Sequence, residues 1–156
     1  MTISFVFVGK TGFREIERQL DYYLEKLKRF VRVSVKIIKE EKILRSRTDR
    51  DIMKLEGKRI LEAIKGNGTV IVWDRCGKMV SSEEYAKYIG KLELSGTGRV
   101  WMVTGGAVGL SDEVIGKADA VFSLSPMTFP HDLARLIIAE QTYRAYTILR
   151  RIPYHR

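Results

Sequence analysis

The sequence predicts an α/β fold in which a mainly parallel sheet carries helices on both faces. Short apolar segments alternate with amphipathic helical segments along the whole chain, as in repeated strand–helix units. The first apolar segment, residues 3–8, is continuous, which is typical of a strand covered on both sides. The length of 156 residues, with 45% hydrophobic and 30% charged residues, fits one soluble domain spanning residues 1–156.

The first half of the chain predicts one more strand and two helices. Residues 13–30 carry apolar side chains at three- and four-residue spacing, which indicates an amphipathic helix. Residues 31–38 alternate apolar and polar side chains, as in a half-exposed strand. Residues 39–48 are polar, basic and without a period, so they predict a loop. Helical spacing returns over residues 49–65.

In the second half of the chain, predicted strands and helices alternate at shorter intervals. Residues 69–73 predict a short buried strand that ends in a turn at residues 74–78. Ser81 and Glu84 form a capping box that begins a helix running to about residue 94. The remaining predicted elements are strands at 100–103 and 120–124, a short helix at 111–117, and a last helix after the loop 125–130 with Thr128 as its cap. The last helix is apolar nearly all round, which predicts burial on several sides and a homodimer built on its surface.

A strong positive charge points to a polyanionic partner. The chain has 28 Lys and Arg against 19 Asp and Glu, a net charge of +9. Arg150, Arg151 and Arg156 cluster at the end of the chain. Such patches favour nucleic acid, with a merely solvated basic surface as the alternative. Ten basic residues lie between positions 26 and 50: Lys26, Lys28, Arg29, Arg32, Lys36, Lys39, Lys42, Arg45, Arg47 and Arg50.

Several protein classes are excluded. Cys76 is the one cysteine, which excludes an intrachain disulfide and suits a reducing cytoplasm. With His131 and His155 it provides too few ligands for a Cys/His zinc site within one chain. No apolar run approaches the roughly 18 residues that span a bilayer, and the first residues lack the features of a secretion signal. We therefore expect a cytoplasmic protein without a metal site or a membrane span.

Three loops predict a ligand pocket. They follow Trp73, Thr104 and Leu124, and they are rich in glycine, small residues or proline. The carboxyl ends of parallel strands are where α/β sheets bind ligands. Neither a Walker A loop nor a G-x-G-x-x-G dinucleotide loop is present, because Gly9-Lys10-Thr11 and residues 105–109 lack the required glycine spacing.

The densest group of polar residues lies at the end of the chain. His131, Arg135, Glu140 and Arg144 fall on the last helix, and the tail carries Tyr154, His155 and Arg156. Glu140 and Arg144 are four residues apart, so they can pair with each other, or the basic face can meet phosphate. The tail is either frayed or contacts an RNA loop through stacking and charge.

Six segments follow one another along the chain: Asp74-x-x-Gly77-Lys78, residues 81–86, Gly105-Gly106-Ala107-x-Gly109, residues 124–131, Glu140-Gln141-x-Tyr143-Arg144-Ala145 and Pro153-Tyr154-His155. Together they resemble the ribosomal RNA large-subunit methyltransferase H family, within the SPOUT superfamily, over the whole chain. The resemblance implies a SPOUT α/β fold with a C-terminal deep trefoil knot, in which about 70–156 is the cofactor-binding half. It also implies a cytoplasmic homodimer that uses S-adenosylmethionine to methylate N3 of a pseudouridine in helix 69 of 23S ribosomal RNA, on the assembled ribosome.

The resemblance also implies site residues. Tyr154 and His155 would reach the pocket of the partner subunit. Because an imide N3 must lose its proton, His131 or His155 is the candidate base, and Arg135, Arg144 or Arg156 would stabilise negative charge. Trp73 and Pro126 depart from the residues expected for the family at their positions. The implied cofactor contacts are Trp73, Gly105, Leu124, Ser125, Pro126, Met127, Thr128 and Phe129.

Two alternative functions share parts of this pattern. A SPOUT methyltransferase acting on tRNA or on another ribosomal RNA site would have the same pocket. A non-catalytic ribosome-binding factor would keep the basic patches and would need no cofactor loops.

Overall fold

The computed structural model describes residues 1–44 and 46–154. Arg45 of the basic segment and His155 and Arg156 of the tail lie outside the described residues. The elements in chain order are β1 (Thr2–Val8), α1 (Arg14–Leu27), β2 (Arg32–Ile38), α2 (Asp49–Ala63), β3 (Thr69–Met79), α3 (Ser82–Leu94), β4 (Arg99–Thr104), α4 (Asp112–Gly116), β5 (Ala120–Ser123) and α5 (His131–Leu149).

The five strands form one sheet in the order β2-β1-β4-β3-β5. Every neighbouring pair in this order is parallel. The carboxyl ends of β3, β4 and β5 therefore meet at one edge of the sheet. The predicted α/β class with a parallel sheet is confirmed.

Helices cover both faces of the sheet, as predicted. In β1, Phe5 and Phe7 point to the face covered by α1, α3 and α5, and Val6 and Val8 point to the face covered by α2 and α4. This double coverage explains why β1 is an uninterrupted apolar run. β2 lies at the sheet edge and is more exposed than the predicted half-exposed strand, because Val35 and Ile37 on its apolar side are also exposed.

One boundary differs from the prediction. The expected turn at residues 74–78 is wrong, because β3 continues to Met79 and pairs with β5 a second time. Phe122 of β5 pairs with both Trp73 and Lys78, so the residues between them bulge out of the ladder. A Cβ atom at Gly77 would lie 2.5 Å from the carbonyl carbon of Phe122, so the close approach requires glycine there.

The start of α5 also differs. Pro130 occupies the N-cap position, and no side chain caps the helix. Thr128 is therefore not the cap that the sequence suggested. The carbonyl oxygen of Pro130 accepts the first hydrogen bond of the helix, from Ala134 N at 3.0 Å.

Candidate functional site

A cavity of about 680 Å³ lies at the carboxyl edge of β3, β4 and β5. Its position is the one predicted from the three loops, and its size is in the range of small-ligand sites. We call it the cofactor cavity. It is lined by Trp73, Asp74, Arg75, residues 104–110, Ser123, Leu124, Ser125, residues 127–131, Ala134 and Ile138.

The glycine loop after β4 forms one tight wall of this cavity. Gly109 N donates to Gly106 O at 3.2 Å, and Gly109 has a φ of 92°, in the region that favours glycine. A Cβ atom at Gly105 would lie 2.8 Å from the carbonyl carbon of Gly109. The turn is therefore closed by backbone alone, with no room for a side chain at position 105.

Unsatisfied polar atoms occur on residues that line the cavity. The Trp73 indole nitrogen and the Thr104 hydroxyl are buried and have no hydrogen-bond partner among the described residues. The opposite loop is held by its own bonds, because Met127 N donates to Ser125 Oγ at 3.0 Å. Two residues of the cavity wall thus carry a buried polar atom without a hydrogen-bond partner among the described residues.

All the predicted cofactor residues except Pro126 line the cavity. Trp73 is mostly buried, and its ring packs against Tyr85 and Phe122 at centroid distances of 5.2 and 5.6 Å. The large indole is therefore part of the core as well as part of the wall. Pro126 is exposed and does not line the cavity.

His131 lines the cavity next to a buried ionic network at the start of α5. His131 Nε2 lies 3.1 Å from Asp132 Oδ1. Asp132 also receives the backbone N–H groups of Gly12 and Phe13 at 2.7 and 3.3 Å and pairs with Arg135 at 3.3 Å. Asp132 was missed by the sequence reasoning. An acid directly after the predicted histidine, in the first turn of a helix, was the available signal.

Arg135 is completely buried and does not line the cavity. Its guanidinium donates to the carbonyl oxygen of Val8 and lies 5.2 Å from the Phe7 ring centroid. Burial lowers the pKa of Arg135, and the charge of Asp132 opposes that effect. In this chain the residue ties α5 to β1.

Arg144 and Tyr154 belong to a second group, near the other end of α5. Arg144 makes two hydrogen bonds to Glu140 Oε1, at 2.6 and 3.0 Å, so the predicted pairing is confirmed. The Tyr154 hydroxyl lies 3.1 Å from the same oxygen and 3.2 Å from the Tyr23 hydroxyl. Burial, the Tyr23 contact and the negative charge of Glu140 raise the pKa of Tyr154. We call these residues the tail cluster.

The structure does not bring the tail cluster to the cofactor cavity of the same chain. His131 and Arg144 lie on one continuous helix, and their separation in sequence corresponds to about 20 Å along its axis. The predicted catalytic residues that the structure describes therefore form two groups, one at each end of α5.

The described part of the chain contains neither a membrane-spanning helix nor a group of side chains that could bind a metal ion. Its helices are all too short or too polar to cross a bilayer. Within residues 1–44 and 46–154, no three His, Cys, Asp or Glu side chains are grouped closely enough to hold a metal ion.

Solved structures share the fold at low sequence identity. A putative methylase family protein from Neisseria gonorrhoeae superposes with a TM-score of 0.57 at 8% identity, over 97% of this chain and 94% of that one. TrmJ from Z. mobilis gives a TM-score of 0.57 at 13% identity, over 94% of this chain and 70% of that one.

Sequence relatives are much closer and match at full length. The family described as predicted SPOUT methyltransferase matches residues 1–155. Proteins named ribosomal RNA large subunit methyltransferase H are 45% identical in Syntrophobacter fumaroxidans and 40% identical in Clostridium novyi, over 100% of both chains. One from Christiangramia forsetii is 38% identical over 99% of both chains. The chain therefore belongs to the ribosomal RNA large subunit methyltransferase H family of SPOUT methyltransferases.

Proposed function

We propose that this enzyme uses S-adenosylmethionine to methylate N3 of a pseudouridine in helix 69 of 23S ribosomal RNA, on the assembled ribosome in the cytoplasm. The observation that carries the proposal is the cofactor cavity, which brings together residues of three of the six motif segments, Asp74, residues 105–109 and residues 124–125 and 127–131, at one edge of the sheet. The names of the full-length relatives support a large-subunit ribosomal RNA substrate. The net charge of +9 suits a polyanionic partner.

The residues of the cavity fit this cofactor. The backbone of residues 105–109 can approach an adenine closely, and the same wall contains Trp73 and Thr104, whose indole nitrogen and hydroxyl have no hydrogen-bond partner among the described residues. Leu124, Met127 and Phe129 would provide apolar contacts. When bound, S-adenosylmethionine supplies an electrophilic methyl group on its sulfonium. The loops would mainly orient the reactants, which is a large part of catalysis for such a transfer.

His131 is our candidate for the group that accepts the N3 proton. It lines the cavity, and a histidine exchanges protons near neutral pH. The Asp132 carboxylate, 3.1 Å from Nε2, would stabilise the imidazolium that forms. Because Asp132 is anchored by two backbone N–H groups and by Arg135, it would act as a positioning residue for His131.

The second group of residues would act in the partner subunit. We propose a homodimer in which Arg144, Tyr154, His155 and Arg156 of one chain complete the cavity of the other, as the family resemblance implies. Several apolar side chains of α5 remain partly exposed in the single chain, which supports an interface there. Sedimentation at micromolar concentration should give about twice the chain mass of 17.9 kDa; a clean monomer would contradict the shared site.

The cofactor cavity is tested by distorting the glycine loop that forms one of its walls. Gly105→Val places a side chain where the backbone of Gly109 lies, so we expect S-adenosylmethionine affinity in calorimetry to fall by about 100-fold or more, equivalent to about 2.7 kcal/mol. Gly98→Val is the matched control, because a Cβ atom there meets nothing within 4 Å. Normal binding by Gly105→Val, with the circular dichroism of the wild type, would show that the cavity is misplaced.

The substrate is tested on ribosomes that lack the modification. Purified enzyme and S-adenosylmethionine should add one methyl group, which mass spectrometry of RNA fragments locates. A methyl group at another nucleotide would indicate a different SPOUT specificity. Binding to ribosomes without methyl transfer would favour the non-catalytic alternative.

A further inference from the structure

A second cavity of about 470 Å³ adjoins the cofactor cavity. The two cavities share Ala107 and Val108 of the glycine loop. The second one is bounded on the other side by the loop after β2 and by α2, including Ile43, Leu44, Ile52 and Glu56. Its volume lies in the range of small-ligand sites, and nothing in the cofactor proposal uses it.

Glu56 is an incompletely bonded carboxyl group in the wall of this cavity. The residue is 3% exposed, and its Oε1 accepts from Glu41 N at 2.8 Å. Its Oε2 is buried and has no hydrogen-bond partner among the described residues. Oε2 lies beside the glycine loop, since a Cβ atom at Gly106 would be 3.2 Å from it. A buried acceptor without a partner is costly, so a ligand that brings a donor is favoured here.

We propose that the second cavity receives the target base and that Glu56 Oε2 accepts a hydrogen bond from the N1–H group of pseudouridine. This inference rests on the proposed function and adds to it the recognition of the base. Glu56 lines the second cavity, and with Oε1 held by Glu41 N its Oε2 lies on the side of the glycine loop. The shared residues Ala107 and Val108 then place the base next to the cofactor cavity.

The ring N–H groups of pseudouridine match a single hydrogen-bond acceptor, Glu56 Oε2, in the second cavity. Pseudouridine has two ring N–H groups, N1–H and N3–H, in a 1,3 relation on the same ring. A hydrogen bond at N1 therefore leaves N3 free to be methylated. Uridine carries C5–H where pseudouridine carries N1–H, so uridine would leave Oε2 unpaired. A site with an unpaired buried polar group rejects the analogue that lacks the matching donor.

The apolar walls suit the faces of a base. Ile43 and Leu44 are 68% and 47% exposed in the described chain, and Ile52 beneath them is buried. A base that enters between them would cover the two exposed side chains, which supplies hydrophobic stabilisation. Lys42 is exposed next to Ile43, where it can contact the phosphate of the incoming nucleotide.

The test compares single-turnover methyl transfer to two preparations of ribosomes, one with pseudouridine and one with uridine at the target position of the helix 69 RNA. In Glu56→Gln, the amide oxygen keeps the bond from Glu41 N, so the NH₂ group occupies the position of Oε2 and presents a donor to N1–H. We expect the ratio of the two rates to fall by roughly tenfold or more, with S-adenosylmethionine affinity unchanged. Glu62→Gln, an exposed change on the same helix, should leave the ratio as in the wild type.

The outcomes separate the two proposals. A wild-type enzyme that methylates neither preparation of ribosomes overturns the proposed function. A wild-type enzyme that methylates both equally, or a Glu56→Gln variant that keeps the wild-type ratio, overturns only the role of Glu56. If Glu56→Gln slows methyl transfer equally with pseudouridine and with uridine at the target position, the role of Glu56 is structural. If the variant binds S-adenosylmethionine more weakly, the carboxyl group serves the cofactor. Either result overturns the inference.

A second variant avoids changing a buried group. Ile43→Ala alters an exposed side chain, so the fold should be unaffected. We expect a several-fold lower kcat/KM for the pseudouridine RNA, with normal S-adenosylmethionine binding. An unchanged kcat/KM would show that the base does not enter between Ile43 and Leu44.

Discussion

Two carboxyl groups near the cofactor cavity are equally buried but differ in their partners. Asp132 and Glu56 are each 3% exposed. Asp132 receives two backbone N–H groups and pairs with Arg135. Glu56 receives one backbone N–H and makes no salt bridge with the described residues, and burial raises its pKa. The first group is fully satisfied by the fold, whereas the second leaves an acceptor unused.

The difference separates anchoring from recognition. Asp132 ties the loop after β1 to the first turn of α5, and this fixes the backbone that presents His131 to the cavity. Removing its charge should disturb the fold. Glu56 contributes little that a neutral amide could not supply, so its carboxyl group is better explained by a ligand than by stability.

The largest expected effect concerns His131. Without a proton acceptor, His131→Ala should slow single-turnover methyl transfer by about 10²–10⁴-fold. S-adenosylmethionine affinity should stay near that of the wild type, because the loops after β3, β4 and β5 are intact. A wild-type rate would move the proton acceptor to the tail, to His155.

Mixed dimers of two inactive variants test whether His131 and the tail of different chains form one site. A chain lacking residues 154–156 should also be slow in methyl transfer and normal in cofactor binding. If the tail serves the partner's cavity, mixed dimers of this chain with His131→Ala contain one intact site, so random exchange restores about a quarter of the wild-type rate. Absence of recovery, with exchange verified by mass spectrometry, would place both groups in one chain's site.

The second effect is on stability. Asp132→Asn leaves the guanidinium of Arg135 buried without its counter-charge, and we expect a loss of about 3–5 kcal/mol in the free energy of unfolding. Glu56→Gln should cost less than about 1 kcal/mol at neutral pH, because it keeps the bond from Glu41 N and removes a buried charge. Urea unfolding at one protein concentration measures both.

Exposed carboxyl groups provide the controls. Asp21→Asn on α1 and Glu62→Gln on α2 make the same chemical changes at exposed positions and should alter stability little. Equal losses for Asp132→Asn and Glu56→Gln would mean that the two buried groups play the same structural part.

Much of this architecture could be predicted from local sequence patterns, but the surroundings of the two buried carboxyl groups could not. The parallel sheet and the three ligand loops could be predicted because apolar runs and glycine-rich turns are local signals. The pair Glu140–Arg144 could be predicted from its spacing. The bulge in β3 could not, since it depends on Phe122 of a strand some 45 residues away.

The burial of single polar residues also depends on tertiary packing. Glu56 lies between Ile52 and Ile60 at four-residue spacing, on the buried stripe of α2. A carboxyl group within an apolar stripe was the signal that marks it. Glu56 faces the glycine loop after β4. This neighbour is determined by the arrangement of the sheet and not by the sequence of α2.

The smallest effect is the pH dependence of stability that Glu56 causes. Burial raises its pKa, the neighbouring charges of Glu40 and Glu41 act in the same direction, and Glu41 N–H and Arg59 oppose it. Between the unfolded value, about 4.3, and the raised folded value, the folded state binds more protons than the unfolded state. The stabilisation that Glu56 provides is therefore complete below about pH 4.3 and is lost as the pH rises through the folded pKa.

Glu56→Gln cannot titrate, so we expect it to gain stability relative to the wild type over this range, by up to about 1.4 kcal/mol per pH unit. Urea midpoints of both proteins between about pH 4 and 7 measure the difference, and other carboxyl groups cancel in it because both proteins contain them. Parallel curves for the two proteins would show that Glu56 ionises as freely in the folded state as in the unfolded chain.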